Sequence, residues 1–176
     1  MTEALSAALG YAHRGWRVFP LQGIADGACT CKRDECSSPG KHPLVRRGLY
    51  EGTTDTTKIQ SWWHRWPHAN IGIATGPDSG LIVIDVDLPK AEASLQRLEE
   101  LRQQLTPTLT ARTGGGGLHL YFRHPERTLP NTTGRLPGLE EALPGIDVRA
   151  EGGYVVAPPS DHISSGKSCG WTPTRR

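Results

Sequence analysis

Three short segments of the chain alternate aliphatic and polar residues with the period of a β-strand: Ile84-Asp85-Val86-Asp87, Leu118-His119-Leu120-Tyr121 and Ile146-Asp147-Val148-Arg149. Successive side chains on a strand point to opposite faces. Asp85 and Asp87 therefore share one face and Val86 takes the other. Asp147 and Arg149 likewise oppose Ile146 and Val148, and His119 opposes Leu118 and Leu120. If the three strands are neighbours in one sheet, their polar faces merge into a patch of three carboxylates, an imidazole and a guanidinium.

The rest of the pattern predicts three helices and about seven strands. Leu5, Ala8, Leu9 and Ala12 follow helical spacing, with Gly15 as the stop, and a strand over 16–21 follows. Asp55 is placed to cap a second helix whose inner face is Ile59, Trp62, Trp63 and Trp66, ended by Pro67. Strands over 70–75 and 81–87 flank Gly76-Pro77-Asp78-Ser79-Gly80, which predicts a hairpin. Pro89 reads as a helix start, with Leu95, Leu98, Leu101 and Leu105 on its apolar face and Pro107 ending it. Strands over 108–113, 118–122, 146–150 and 154–157 complete an α+β domain with a mixed or antiparallel sheet. Residues 22–48 read as a loop.

Composition narrows the options. At 176 residues the chain is most simply one domain. A net charge of +2 is too small to identify a nucleic-acid partner, so any basic groove must come from local distribution. No apolar run approaches the roughly 20 residues of a membrane span, and the N-terminus lacks a signal pattern, so a cytoplasmic location without membrane contact is the expectation. Three of the four cysteines fall within eight positions, which suits metal ligation better than a disulfide framework.

The carboxylates suggest chemistry. Asp-x-Asp at the end of the buried run Leu81-Ile82-Val83-Ile84 offers hard oxygen ligands of the kind Mg²⁺ or Mn²⁺ takes in phosphoryl and nucleotidyl transfer. Alone, the motif is more often a solvated strand edge or a turn start, but here it crowns a buried strand. Gly114, Gly115, Gly116 and Gly117 after Thr113 offer backbone N–H groups to a polyphosphate, or make a flexible hairpin turn. His119, directly after them, could donate to a phosphate oxygen or be structural. Gly166-Lys167-Ser168 does not complete a Walker A motif, because Asp161 stands where that motif needs its first glycine.

Taken together, these residues resemble the bifunctional primase-polymerase (Prim-Pol) domain of the archaeo-eukaryotic primase superfamily. Two acidic residues separated by one match Asp85 and Asp87. A small residue, any residue and histidine match Gly117-Leu118-His119, and an aspartate after a hydrophobic residue matches Ile146-Asp147. The resemblance extends to Gly15-Trp16-Arg17-Val18-Phe19-Pro20-Leu21, Trp62-Trp63 through Trp66-Pro67, Asn70-Ile71-Gly72-Ile73-Ala74-Thr75-Gly76 and Gly153-Tyr154-Val155-Val156-Ala157-Pro158-Pro159-Ser160, spanning roughly 4–171.

The resemblance implies an RRM-like catalytic sheet packed on a small N-terminal α/β unit, with the active site between them. It also implies synthesis from (d)NTPs on a single-stranded DNA template and primer. Asp85, Asp87 and Asp147 would hold two Mg²⁺ or Mn²⁺ ions while a 3′-hydroxyl attacks the α-phosphate and pyrophosphate leaves. His119 with Gly115, Gly116 and Gly117 would meet the triphosphate, and Arg149 and Arg112 are weaker candidates for phosphate contacts. Residues 1–171 would form the catalytic domain, and 172–176 the start of a linker toward missing domains, a helicase or other replication proteins among them.

Cys29, Cys31, Cys36 and His42 have the spacing C-x-C-x4-C-x5-H, enough for a tetrahedral structural zinc within the loop of about 22–48. Unmetallated thiols, or Cys169 in place of His42, are the other readings. Lys32, Arg33, Lys41, Arg46 and Arg47 give this region an excess of positive charge that could grip template or triphosphate, or be merely solvated. Gly40-Lys41-His42-Pro43 looks like the counterpart of a Gly-Lys-Arg-Pro-like turn in relatives, which makes Lys41 the preferred basic contact.

Two other functions use the same residues. A metal-dependent nuclease or phosphoesterase also needs only Asp-x-Asp and a histidine. A non-catalytic nucleic-acid or nucleotide-binding module would retain the fold without the reaction.

Overall fold

The computed structural model describes residues 1–101, 103, 105–163 and 170–172. Cys169, Gly166-Lys167-Ser168 and the last four residues of the chain lie outside the described residues.

The helix α1 (Glu3–His13) begins at Thr2, whose Oγ1 accepts from the Leu5 N–H. It ends as the sequence predicts. Gly15 takes φ +83°, its N–H bonds to the Ala12 carbonyl, and the Trp16 N–H reaches back to Tyr11. That is the left-handed glycine stop, and it gives the Tyr11 and Ala12 carbonyls at the helix end their partners. Strand β1 (Val18–Leu21) follows, fully buried.

The cysteine region is more ordered than a loop. β2 (Ile24–Ala25) and β3 (Ala28–Cys29) pair through Asp26-Gly27, both at positive φ. Asp-Gly at a two-residue turn is a strong short-range hairpin signal, which the reading of 22–48 as a loop passed over.

A 3-10 turn, Gly48–Glu51, leads to α2 (Thr56–Arg65). Asp55 caps α2 by accepting from the N–H groups of Thr57 and Lys58. Ile59, Trp62 and Trp63 are buried, while Trp66 is only partly covered. The Trp63 indole also donates to the Ala69 carbonyl at 3.2 Å.

Strand β4 (Asn70–Ala74) pairs with β1 on one side and with β9 (Tyr154–Ala157) on the other, making a three-stranded antiparallel sheet. This N-terminal unit is thus completed by a strand from late in the chain. β5 (Leu81–Val86) does not form the expected hairpin with β4. Only the Gly76 and Leu81 bridge joins them, because the 3-10 turn Pro77–Ser79 redirects the chain into a second sheet.

The second sheet has five strands. α3 (Glu92–Glu100) is followed by β6 (Leu109–Arg112), β7 (Leu118–Arg123), β8 (Ile146–Arg149) and, near the C-terminus, β10 (Gly170–Trp171). The order is β10-β6-β7-β5-β8, with every pairing antiparallel. α3 begins three residues after Pro89, which lies in the preceding turn, and it ends well before Pro107.

The two faces of this sheet have different partners. Val86, Leu120 and Ile146 pack with Leu98 of α3 and with Leu143. The opposite face turns toward the three-stranded sheet: Leu81, Val83, Ala111 and Tyr121 share one core with α1, α2, β1 and β4. Trp16 stacks on Tyr121 at 5.6 Å between ring centroids, and Trp171 lies 5.1 Å from Tyr121. No helix among the described residues is long and apolar enough to cross a membrane.

Candidate active site and metal centre

Along β5 the face that carries Leu81 and Val83 into the shared core continues to Asp85. That residue emerges where the core stops and a cleft of about 730 Å³ opens. Register then decides its neighbours. Asp85 faces His119 on one side and Asp147 on the other, and the same rung runs on through Ala111 to Trp171. Directly opposed residues share a face and stand about 5 Å apart at Cβ. His119, Asp85 and Asp147 are therefore consecutive across three strands.

Each carboxylate is engaged. Asp85 Oδ1 lies 3.5 Å from His119 Nε2, and Asp85 Oδ2 lies 3.4 Å from the Arg149 guanidinium. Burial would raise the pKa of Asp85, but His119 and then Arg149 outweigh it and hold the carboxyl below its ordinary value. Asp147 accepts from the Gly134 N–H at 3.0 Å and from Arg149 at 2.8 Å. His119 is 7% exposed, and its Nδ1 has no hydrogen-bond partner among the described residues.

Asp87 lies one residue past β5 and lines the cleft, but its carboxylate meets Lys90 Nζ at 2.8 Å. The Asp87 N–H bonds to the Gly145 carbonyl at 2.7 Å, tying the end of β5 to the start of β8. Gly145 is needed there: at φ +82° a Cβ would sit 2.6 Å from the Ala91 nitrogen.

The three aspartates do not converge as a single-ion cluster. Asp85 and Asp147 could still offer oxygens to a divalent cation, since both now meet one positive group, the Arg149 guanidinium. These are hard oxygen donors of the kind Mg²⁺ or Mn²⁺ takes.

The glycine turn behaves differently from expectation. Gly114 and Gly115 line the cleft, whereas Gly116 and Gly117 do not. The Gly116 N–H is used by the Thr113 carbonyl and the Gly117 N–H by Thr113 Oγ1, so both close the β6–β7 turn. Gly117 also passes close to β5, where a Cβ would come within 2.4 Å of the Val86 carbonyl oxygen. Arg112 is displaced from the site by alternation: it pairs with Leu118, off the His119 face, and is not a lining residue.

Other lining residues carried no signal of their own. His162 lies near Gly115, and burial, with Lys41 adding to it, lowers its pKa. Burial raises the pKa of Tyr154, opposed by Arg149, and its hydroxyl donates to the Lys41 carbonyl at 3.0 Å. Lys90 could have been suspected from its i+3 spacing to Asp87.

Lys41 itself lines the cleft with Ser38 and Gly40. These residues lie between Cys36 and His42, so the cysteine loop forms part of the cleft wall. Asn70 holds it by donating to the Gly40 carbonyl at 2.9 Å.

The ligand atoms of Cys29, Cys31, Cys36 and His42 all lie within 4.8 Å of one another. His42 Nε2 is 3.4 Å from both Cys29 Sγ and Cys36 Sγ. A tetrahedral site with Zn–S near 2.3 Å and Zn–N near 2.0 Å has S···N edges of about 3.5 Å, so the set could hold zinc. Burial alone would raise the Cys29 pKa, but the N–H groups of Cys31 and Gly40 bring it down to about 6, favouring thiolate. Burial and the neighbouring sulfurs push Cys36 upward. A bound cation would favour both thiolates.

The molecule is an α+β protein whose antiparallel sheet presents an acidic rung in a cleft lined also by lysines and a glycine turn. The chain belongs to the Prim-Pol family: the model of the bifunctional DNA primase/polymerase N-terminal domain matches residues 8–176. That family implies a nucleotidyltransferase-like enzyme acting with DNA and nucleotides. A search of curated proteins finds no match.

Proposed function

We propose that this chain is a template-directed DNA primase-polymerase that joins the α-phosphate of a (d)NTP to a primer 3′-hydroxyl with release of pyrophosphate. The observation that carries the reading is the rung His119, Asp85 and Asp147 at the mouth of the cleft, in a chain of this family. Residues 1–171 would act as one catalytic unit of the archaeo-eukaryotic primase type. Its five-stranded sheet would be the RRM-like catalytic sheet and the β1-β4-β9 unit its smaller partner.

Asp85, Asp147 and Asp87 would hold two Mg²⁺ or Mn²⁺ ions, which when bound supply charge stabilisation to the attacking and leaving oxygens. Arg149 and Lys90 would leave the carboxylates and turn to phosphate oxygens. His119 would donate to the triphosphate, with Gly115 allowing its close approach and Lys41 meeting it from the opposite wall. Zinc on Cys29, Cys31, Cys36 and His42 would be structural, holding Lys41 in the wall.

The test is extension of a primed single-stranded template with labelled dNTP or NTP in Mg²⁺ or Mn²⁺. Wild type extends, and Asp85→Ala with Asp87→Ala loses at least about 1,000-fold, some 4 kcal/mol of barrier. Template degradation without nucleotide would assign a nuclease instead. Metal-dependent triphosphate binding without extension would leave a binding module.

A further inference from the structure

A second recess, of about 410 Å³, lies outside the active-site cleft, and its wall is basic and aromatic. It is built by Arg46 and Arg47, Tyr50 and Glu51 of the 3-10 turn, Lys58 of α2, and Arg17 just before β1. None of these residues lines the first cleft.

The nearby carboxylates are already occupied. Glu51 accepts from the Arg47 backbone N–H at 2.9 Å, and Asp55 caps α2. Asp78 pairs with Arg17, whose Nε also donates to the Gly52 carbonyl. The exposed guanidinium groups of Arg46 and Arg47 have no carboxylate partner among the described residues. Lys58 Nζ lies 4.8 Å from the Trp62 ring centroid, with no carboxylate within ion-pair reach. Three cations thus face one recess, none of them in an ion pair among the described residues, against the single carboxylate of Glu51.

Tyr50 is the second observation. It is 65% exposed, one of only three large apolar or aromatic side chains so uncovered among the described residues. Cations that track phosphates together with an open aromatic face on which a base can stack are the two elements of single-strand recognition.

The recess is also rigidly joined to the cleft. Between Lys41 and Arg46 the chain is held by the Pro43 bridge to Leu21, by the Leu44 N–H on the Pro20 carbonyl and by buried Val45. Five peptide steps lead from Lys41 to Arg46, so their Cα atoms are at most about 18 Å apart. A strand of a few nucleotides bridges that distance.

We infer that this recess binds the phosphate backbone of single-stranded DNA, with one base on Tyr50, and guides the template strand to the cleft. The inference rests on the polymerase reading for the word template, but binding at the recess is separable from the reaction.

The experiment measures binding of a fluorescent oligo-dT of about 20 nucleotides by anisotropy between 50 and 200 mM salt. The proteins are wild type, Tyr50→Ala, Tyr50→Trp and the double variant Arg46→Ala with Arg47→Ala. All these side chains are on the surface, and an unchanged melting temperature confirms the fold. The double variant should lose about tenfold in affinity, and its log–log salt slope should fall by about 1.4, two contacts at roughly 0.7 each. Tyr50→Ala should lose at least about fivefold and Tyr50→Trp should retain affinity. Binding of dNTP with Mn²⁺ should not change in any of them.

Unchanged oligonucleotide affinity overturns the inference, as does a wild type that fails to bind oligo-dT at 50 mM salt. Equal losses for dNTP and oligonucleotide also overturn it, since the recess would then not be a separate site. Oligonucleotide binding that depends on Arg46, Arg47 and Tyr50 in a protein that extends no primer would sink the polymerase reading and leave this site standing.

Discussion

Asp85 and Asp147 occupy one rung of neighbouring strands, and a single guanidinium, that of Arg149, lies 3.4 Å from the first and 2.8 Å from the second. Two carboxylates this close repel unless a positive charge stands between them. Arg149 therefore holds the acidic rung together, and under the proposed function it would compete for the place of a divalent cation.

Arg149→Ala should separate those roles. Without the guanidinium, Mn²⁺ alone should bind at least about fivefold tighter, roughly 1 kcal/mol of charge interaction. The Michaelis constant for dNTP should rise, since the phosphates lose a cationic partner. Titration by electron paramagnetic resonance checks the first arm, and weaker Mn²⁺ binding would rule out competition.

His119→Ala should weaken nucleotide binding more than template binding. The imidazole is buried with Nε2 near Asp85 and Nδ1 without a partner among the described residues, an arrangement that costs about 1–3 kcal/mol unless a ligand meets it. Separate titrations of dNTP and oligonucleotide measure the ratio, and equal losses would remove the triphosphate role.

The purified protein should carry one zinc per chain by metal analysis. Cys31→Ser should lose it and lower the melting temperature by roughly 5 °C or more, the shift about 2 kcal/mol makes in a chain of this size. Because Lys41 adjoins His42, the Michaelis constant for dNTP should rise as well. Absence of stoichiometric zinc in the wild type would refute the site.

A pH-dependent prediction concerns α3. Arg97 donates to both carboxylate oxygens of Glu141 at 2.7 Å, and this contact holds the Glu141 pKa below its ordinary value. A depressed folded-state pKa stabilises above the unfolded value and is lost as pH falls through the folded one. Glu141→Gln should therefore be slightly less stable than wild type at pH 7, with the difference vanishing in acid. A difference that persists at pH 2 in denaturant titrations would exclude this origin.

Much of the fold was legible where a local signal and burial agreed. Gly15 ends α1, Asp55 caps α2, and alternation put Asp85, His119 and Asp147 on the polar side of their strands. The misreadings arose where tertiary contacts overrode local pattern. The turn Gly76-Pro77-Asp78-Ser79-Gly80 looks like a hairpin, yet its 3-10 conformation redirects the chain, so β4 pairs with β9 and β5 with β7. Gly116 and Gly117 looked free to bind phosphate, but their N–H groups are spent closing the turn. Arg112 was one position from the right face. Tyr154 and His162 were not visible as site residues, since their neighbours in the cleft come from distant segments, whereas Lys90 had only its i+3 spacing to Asp87 as a signal.

The sequence by itself determined which residues could carry charge on which face, because strand periodicity depends only on the residue and its immediate neighbours. It likewise determined the set Cys29, Cys31, Cys36 and His42, whose members lie within fourteen positions. Strand order and register were decided only in the folded chain. They aligned Asp85 between His119 and Asp147, and the fold set Lys41 in the wall of the same cleft. Such pairings join residues tens of positions apart, and the long-range burial that selects them has no local trace.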